Sequence, residues 1–127
     1  MAIYESAEDY LEAIYKLRKL QGQVRSIDIV AELQYSKPSV SVAMKKLRES
    51  GHVEMDESGL ITLTDAGEAV ASRIYERHQV LKNMLVALGV EPETAAQEAC
   101  KIEHHLSDDT FEKIKAHAER RTQTSSL

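Results

Sequence analysis

Apolar positions recur at helical spacing over residues 6–20, where Leu11, Ile14, Tyr15 and Leu17 form one stripe. Ser6 can cap this helix with Asp9 three residues later, and Gly22 ends it. Ser26 opens a short second helix, SIDIVAEL, whose Ile27, Val30, Ala31 and Leu33 keep the same period. A tight Gln34-Tyr35-Ser36 connection follows, and Pro38 sits in the first turn of a third helix, KPSVSVAMKKLRES, which Gly51 terminates. Val40, Met44 and Leu47 recur at i, i+4 and i+7 and read as its core face, so the Met44 sulfur needs no metal to explain it. Short helix, turn, longer helix is the helix-turn-helix order.

Past Gly51 the period shortens from about 3.6 residues to about 2. HVEM and LITLT flank the turn residues Asp56, Glu57, Ser58 and Gly59, which predicts a small β-hairpin. A hairpin directly behind a helix-turn-helix is the wing of a winged helix. Thr64 and Asp65 then cap a long helix running through IYERHQVLKNMLVAL to Gly89. Pro92 starts another, and Ser107 with Asp108 and Asp109 starts the last, through FEKIKAHAERR. The expected architecture is mainly α with one small β-hairpin: a winged helix-turn-helix over residues 1–64, a helical domain over 65–121 and a disordered tail over 122–127.

Composition narrows the class. A chain of 127 residues with 43% apolar residues can bury one core or two small adjoining ones. There is no apolar run of about 18 residues, and MAIYESAEDY has neither a basic nor an apolar leader region, so a cytoplasmic protein with no membrane association is expected. The single cysteine excludes an internal disulfide and leaves a thiol free to act as a ligand.

A formal net charge of −5 argues against binding nucleic acid through bulk charge. The third helix is the exception: Lys37, Lys45, Lys46 and Arg48 stand there against Glu49 alone. The first turn of a recognition helix enters the major groove, which places Ser36, Lys37, Pro38, Ser39 and Ser41 towards base edges or phosphates and Lys45, Lys46 and Arg48 towards the backbone. A Lys-rich solvated face is the alternative, and the adjoining wing counts against it. His52, just past the helix-ending glycine, reads as a strand-edge residue rather than a ligand.

The segment EACKIEHHLSDD carries the strongest chemical signal. Cys100, Glu103 and His104 stand at i, i+3 and i+4, so one helical turn would present a thiolate, a carboxylate and an imidazole on one face. That mixture suits Fe(II), Zn(II), Co(II) or Mn(II). A buried structural thiol beside an exposed polar edge is the plainer reading. Metal binding by one turn alone would be weak, so further ligands are required from elsewhere. Asp9 and Glu12, again at i and i+3, are available on the first helix, although they also fit a capping acid and a polar face shared with Lys16 and Lys19. His78, inside the long helix, is available too, although a hydrogen-bonded structural histidine fits as well.

Taken together, EDYLEAIYKL, SKPSVSVAMKKL, GLITLTDAG, YERHQVL and ACKIEHHLSDD, in this order and spacing, resemble the diphtheria toxin repressor family of metal-dependent transcriptional regulators, including its manganese transport regulator branch. The resemblance covers residues 4–118. It implies a homodimer with an N-terminal winged helix and a helical metal-binding and dimerisation domain, in which divalent metal acts as corepressor for double-stranded operator DNA. It assigns Asp9, Glu12, His78, Cys100, Glu103 and His104 as metal ligands. Asp9 and Glu12 resemble the manganese branch, whereas Cys100 stands where that branch has a carboxylate and the iron branch has cysteine. Lys82 and Ala96 replace ancillary ligands of the iron branch, so that ancillary site is not expected in its usual form. A binuclear cluster bridged by Glu103 and a single high-affinity site both remain open.

The expected corepressor is Fe(II) or Mn(II). The thiolate favours iron and the added carboxylates favour harder ions, while Zn(II) and Co(II) are expected to bind in vitro because affinity rises along the first-row series. No organic substrate is expected. Two other functions fit parts of the chain: a winged-helix regulator sensing a non-metal ligand, and a metallohydrolase. The second leaves the winged helix unexplained, and no phosphate loop or nucleophile-base motif accompanies the acidic and histidine residues.

Overall fold

The computed structural model describes residues 5–125, with side chains described through Arg121. Six helices and one hairpin follow one another as α1 (Glu5–Gln21), α2 (Ser26–Leu33), α3 (Lys37–Glu49), β1 (Val53–Met55), β2 (Ile61–Leu63), α4 (Asp65–Ala87), α5 (Pro92–Ile102) and α6 (Asp108–Ser125). The architecture is mainly α with a two-stranded antiparallel sheet, as the periodicity predicts. No helix among the described residues is long and apolar enough to cross a membrane. The chain divides into two compact units, Met1–Arg73 and Ile74–Leu127, and the continuous helix α4 passes from one to the other.

In the first unit the core is built from one stripe of each element. Tyr10, Leu11, Ile14 and Leu17 of α1 close on Ile29 of α2, on Val40, Met44 and Leu47 of α3, and on Val53 and Ile61 of the hairpin. Helix α2 departs from its expected face: Ile29 is fully buried with Val30 and Leu33 packed beside it, whereas Ile27 is exposed. Five apolar residues in an eight-residue helix leave several possible stripes, and packing selects among them. Helix α1 already includes Glu5 and Ser6, so Ser6 lies inside the helix rather than at its cap.

Local polar groups fix the remaining boundaries. Gln34 adopts a left-handed conformation (φ 58°) between α2 and α3, which turns the chain sharply into the second helix of the motif. Ser36 caps α3, its hydroxyl accepting the Ser39 amide at 3.2 Å, with Pro38 in the first turn. The hairpin pairs Val53 with Leu63, Glu54 with Thr62 and Met55 with Ile61. Its turn is organised by Asp56, whose Oδ1 accepts the amides of Ser58 and Leu60, each at 2.9 Å. Arg25 reaches from the start of α2 to donate to the Ser58 carbonyl, tying the wing to the helix-turn-helix.

Gly67 is required where α4 begins. A Cβ there would stand 2.0 Å from the His52 carbonyl oxygen, so the first turn of α4 rests directly on the backbone before β1. Thr64 Oγ1 holds the same junction, accepting from the Gly67 amide at 3.1 Å and donating to the Gly51 carbonyl at 2.6 Å. Glu8 on α1 is buried and bonded to Arg73 at 3.1 Å.

The second unit buries Ile74 and Leu81 of α4, Ala95 and Ala99 of α5, and Phe111 of α6. Of the apolar α4 positions near its end, Leu81 is buried, Met84 and Leu85 are half-buried and Leu88 is exposed. Ser107 caps α6, its hydroxyl accepting the Thr110 amide at 3.1 Å. The backbone of α6 runs on to Ser125, into the stretch expected as a tail from residue 122; no Gly or Pro interrupts it. Residues 126 and 127 lie outside the described residues.

Candidate metal centre and nucleic-acid interface

Helix α5 stops at Ile102, and Glu103 is its C-cap, still in right-handed conformation (φ −57°, ψ −28°). Cys100 therefore projects from the last turn of α5, while Glu103 and His104 follow in the turn beyond it. The expectation of three ligands on one regular helical turn is corrected in this detail. A right-handed continuation keeps Glu103 and His104 near Cys100 although the helix has ended, so Cys100 Sγ and a Glu103 carboxylate oxygen lie within 4.8 Å of each other.

Glu103 is the centre of this arrangement. It is fully buried at 0% exposure, the state in which a carboxylate is most costly unless it is paired. His78 Nδ1 stands 2.9 Å from its Oε2, and His104 Nε2 stands 3.5 Å from its Oε1. The first is a hydrogen bond; the second is not, and Glu103 Oε1 accepts no hydrogen bond among the described residues. Both imidazoles are withdrawn from solvent, with side-chain exposures of 13% for His78 and 1% for His104.

These separations suit a metal. Donor atoms about 2.1 Å from one ion stand about 3.0 Å apart as octahedral neighbours and about 3.4 Å apart as tetrahedral ones. The His78–Glu103 and His104–Glu103 pairs match those spacings. A buried carboxylate oxygen without a hydrogen bond, two sheltered imidazoles and a thiol at the rim form a mixed O, N and S set for a borderline divalent cation. Cys100 is exposed, so it supplies the solvent-facing side.

Asp9 and Glu12 occupy successive turns of α1 in the first unit, with Asp9 half-buried and Glu12 buried. At about 100° per residue Glu12 lies nearly opposite the stripe of Tyr10, Ile14 and Leu17, yet it is buried, which a solvated polar face does not explain. The polar-face alternative therefore fails for Glu12 on burial alone.

Arg77 was not among the residues selected from sequence. It is buried at 4% exposure, its Nη1 donates to the carbonyls of Glu103 at 3.1 Å and Leu106 at 2.7 Å, and its Nη2 donates to Asp108. Its guanidinium carbon also lies 5.2 Å from the Phe111 ring centroid. One side chain on α4 thus grips both ends of the turn that carries Glu103 and His104. The available signal was its place in the stripe Ile74, Arg77, Leu81, where an arginine interrupts an apolar face.

In the first unit, α3 presents Ser36, Lys37, Pro38, Ser39, Ser41, Lys45 and Lys46 on its exposed side while Val40, Met44 and Leu47 are buried. Ser36 has a structural duty as well, because its hydroxyl caps the helix and lies 2.8 Å from Ser39 Oγ. His52 is half-buried, with Nδ1 2.7 Å from Ser50 Oγ, as a strand-edge residue would be.

Two family models match the chain: an iron dependent repressor N-terminal DNA binding domain over residues 2–59, and an iron dependent repressor metal binding and dimerisation domain over residues 64–124. An HTH-type transcriptional regulator of Methanocaldococcus jannaschii is 40% identical over 118 residues, which cover 91% of this chain and 94% of the relative. The transcriptional regulator MntR of Escherichia coli O6:H1 is 39% identical over 108 residues, covering 85% of this chain and 70% of the relative. The solved structure of a manganese-dependent transcriptional repressor in complex with manganese superposes with a TM-score of 0.82 at 31% identity, covering 89% of this chain and 52% of the other. The chain thus spans about half the length of that solved structure.

Proposed function

Because the chain belongs to the iron-dependent repressor family, which is the diphtheria toxin repressor family of the sequence resemblance, we propose that it is a divalent-metal-responsive transcriptional repressor of metal-homeostasis genes. It binds palindromic operator DNA as a homodimer in its Fe(II)- or Mn(II)-loaded form. It acts in the cytoplasm, and it is a regulator rather than an enzyme. The observation that carries the metal half is Glu103: a wholly buried carboxylate between two sheltered imidazoles, with one oxygen left without a hydrogen bond.

His78, Cys100, Glu103 and His104 hold the metal in the helical domain, and Asp9 and Glu12 complete the set from α1. The last two enter on their i, i+3 placement, the burial of Glu12 and the family resemblance. The ion supplies a double positive charge that neutralises clustered carboxylates. His78 and Glu103 bring the sheltered donors, and Arg77 orients Glu103 through its backbone carbonyl. Cys100 contributes the soft donor and inclines the set towards Fe(II), with Mn(II) close behind; Zn(II) and Co(II) bind by their place in the first-row series.

Ligands drawn from α1 and from the helical domain are all satisfied only in a restricted range of domain orientations. Loading therefore selects the dimer in which two α3 helices fit half-sites one or more helical turns apart. Ser36, Lys37, Pro38, Ser39 and Ser41 enter the major groove, and Lys45 and Lys46 take phosphates. The experiment is an anaerobic selection from random-sequence duplexes by Fe(II)- or Mn(II)-loaded protein and by chelator-treated protein. An inverted repeat enriched only with metal is the expected result. Equal enrichment under chelator would assign the chain to regulators that sense something else, and no enrichment in either arm would remove the DNA-binding function.

A further inference from the structure

Val42 is the one large apolar side chain on the outward face of α3, and it is 54% exposed. Isolated exposed apolar residues are common, so exposure alone decides nothing. Its position does. At about 100° per residue, Val42 stands roughly opposite the buried stripe of Val40, Met44 and Leu47, and Pro38, Ser39, Lys45 and Lys46 lie within about 60° of it around the axis. It therefore occupies the middle of the basic, polar face. A β-branched residue there has below-average helix propensity and contributes no core packing, so stability does not account for it.

Resting on the reading of α3 as a groove-binding helix, we propose that Val42 is a base-reading residue that recognises the C5-methyl group of a thymine in each half-site. The major-groove edge of a base pair offers hydrogen-bond donors and acceptors and, at thymine only, an exposed methyl group. Valine has no polar group with which to read the former. It has two methyl groups that can exclude water against the latter. Lys45 and Lys46, one turn further along, place positive charge where phosphates hold the helix at its depth. The side chain is short and stiff at χ1, so its reach is narrow and one base position per half-site is read.

Uracil differs from thymine by this methyl group alone. Using the metal-loaded protein and the duplex it enriches from a random-sequence library, each thymine is replaced in turn by uracil and the affinity measured for the parent, Val42→Ala and Val42→Thr. The parent should lose about fourfold at one thymine per half-site, the factor that corresponds to ~0.8 kcal/mol for one buried methyl group. Val42→Ala should bind the thymine and uracil duplexes with nearly equal affinity, and Val42→Thr, which keeps one methyl, should retain part of the difference. Both variants should melt with the parent, since the side chain packs against solvent. A parent indifferent to uracil at every position, or a Val42→Ala protein that discriminates as well as the parent, would overturn the assignment. Failure to enrich any duplex would instead overturn the DNA-binding reading, and this inference with it.

Discussion

Replacing Arg77 by methionine tests how the turn bearing Glu103 is held. Methionine keeps an unbranched apolar stem in place of the arginine's and removes every donor. Four interactions disappear: the bonds to the Glu103 and Leu106 carbonyls, the ion pair with Asp108 and the cation–π contact with Phe111. The Asp108 carboxylate is 79% exposed, so water replaces its partner and little stability is lost there. The two carbonyl bonds come from a charged donor in a buried setting, each worth about 1.5–3 kcal/mol. Against them, Arg77 Nε is buried without a hydrogen bond among the described residues, and removing it relieves a desolvation cost of about 1–3 kcal/mol. The mid-range net loss is about 2–3 kcal/mol, which for a chain of this size lowers the melting temperature by roughly 6–15 °C. Metal affinity should fall about 10–100-fold in protein that is still folded, as expected when a group orienting a ligand is removed. Arg77→Lys should recover part of the stability but less of the affinity, because an ammonium cannot span both carbonyls as the guanidinium fork does. Thermal melts and Mn(II) calorimetry below the transition report the two quantities separately. A variant that melts within about 2 °C of the parent, or one that is destabilised yet binds Mn(II) as tightly, would refute the positioning role.

Cys100→Glu replaces the only thiolate with a hard carboxylate, so Mn(II) should gain on Fe(II) by at least about tenfold in activating DNA binding, measured anaerobically with melts to confirm folding; an unchanged ratio removes Cys100 as the selectivity ligand. Neutralising Lys37, Lys45 or Lys46 singly should reduce the magnitude of the log-affinity against log-salt slope by about 0.9 for each lysine that contacts a phosphate, and three unchanged slopes would take α3 out of the groove. The Asp56 carboxyl is held below its ordinary value of 3.8, chiefly by the Leu60 amide and then by the Ser58 hydroxyl. Its stabilisation of the wing turn is therefore complete above that value and lost as pH falls through the lower folded value. The Ser58 and Leu60 amide resonances should stay constant from about pH 8 to pH 5 and shift only in acid; a transition near neutrality would contradict the assignment to Asp56.

The winged helix was legible because three local signals agree in it: stripe spacing in α1 and α3, a Ser-x-Pro start before α3, and a Gly-ended helix followed by alternation. Where two stripes competed, as in α2, tertiary packing chose Ile29 over Ile27, and nothing local could have done so. The helix end at Ile102 was also beyond periodicity, because Glu103 keeps right-handed angles and its amide still donates to the Ala99 carbonyl at 2.9 Å. Glu103 and His104 were identified by residue type and spacing, but the burial of Glu103 and its 2.9 Å approach to His78 arise from residues 25 positions apart in sequence. Arg77 illustrates the limit best. Its role is to satisfy backbone carbonyls, and a carbonyl leaves no trace in a side-chain pattern.

The central claim is that metal held through Glu103 controls DNA binding. The direct measurement is an anaerobic titration of labelled duplex, enriched by the metal-loaded protein, against parent and Glu103→Gln at controlled free Fe(II), Mn(II) or Zn(II), and with chelator. Glutamine keeps the shape but removes the charge that a cation requires. The parent should bind at least about tenfold more tightly with Fe(II) or Mn(II) than with chelator, and Glu103→Gln, folded by its melting curve, should lose most of that difference. Equal affinity of the parent with and without metal, or full metal activation of Glu103→Gln, would contradict the account.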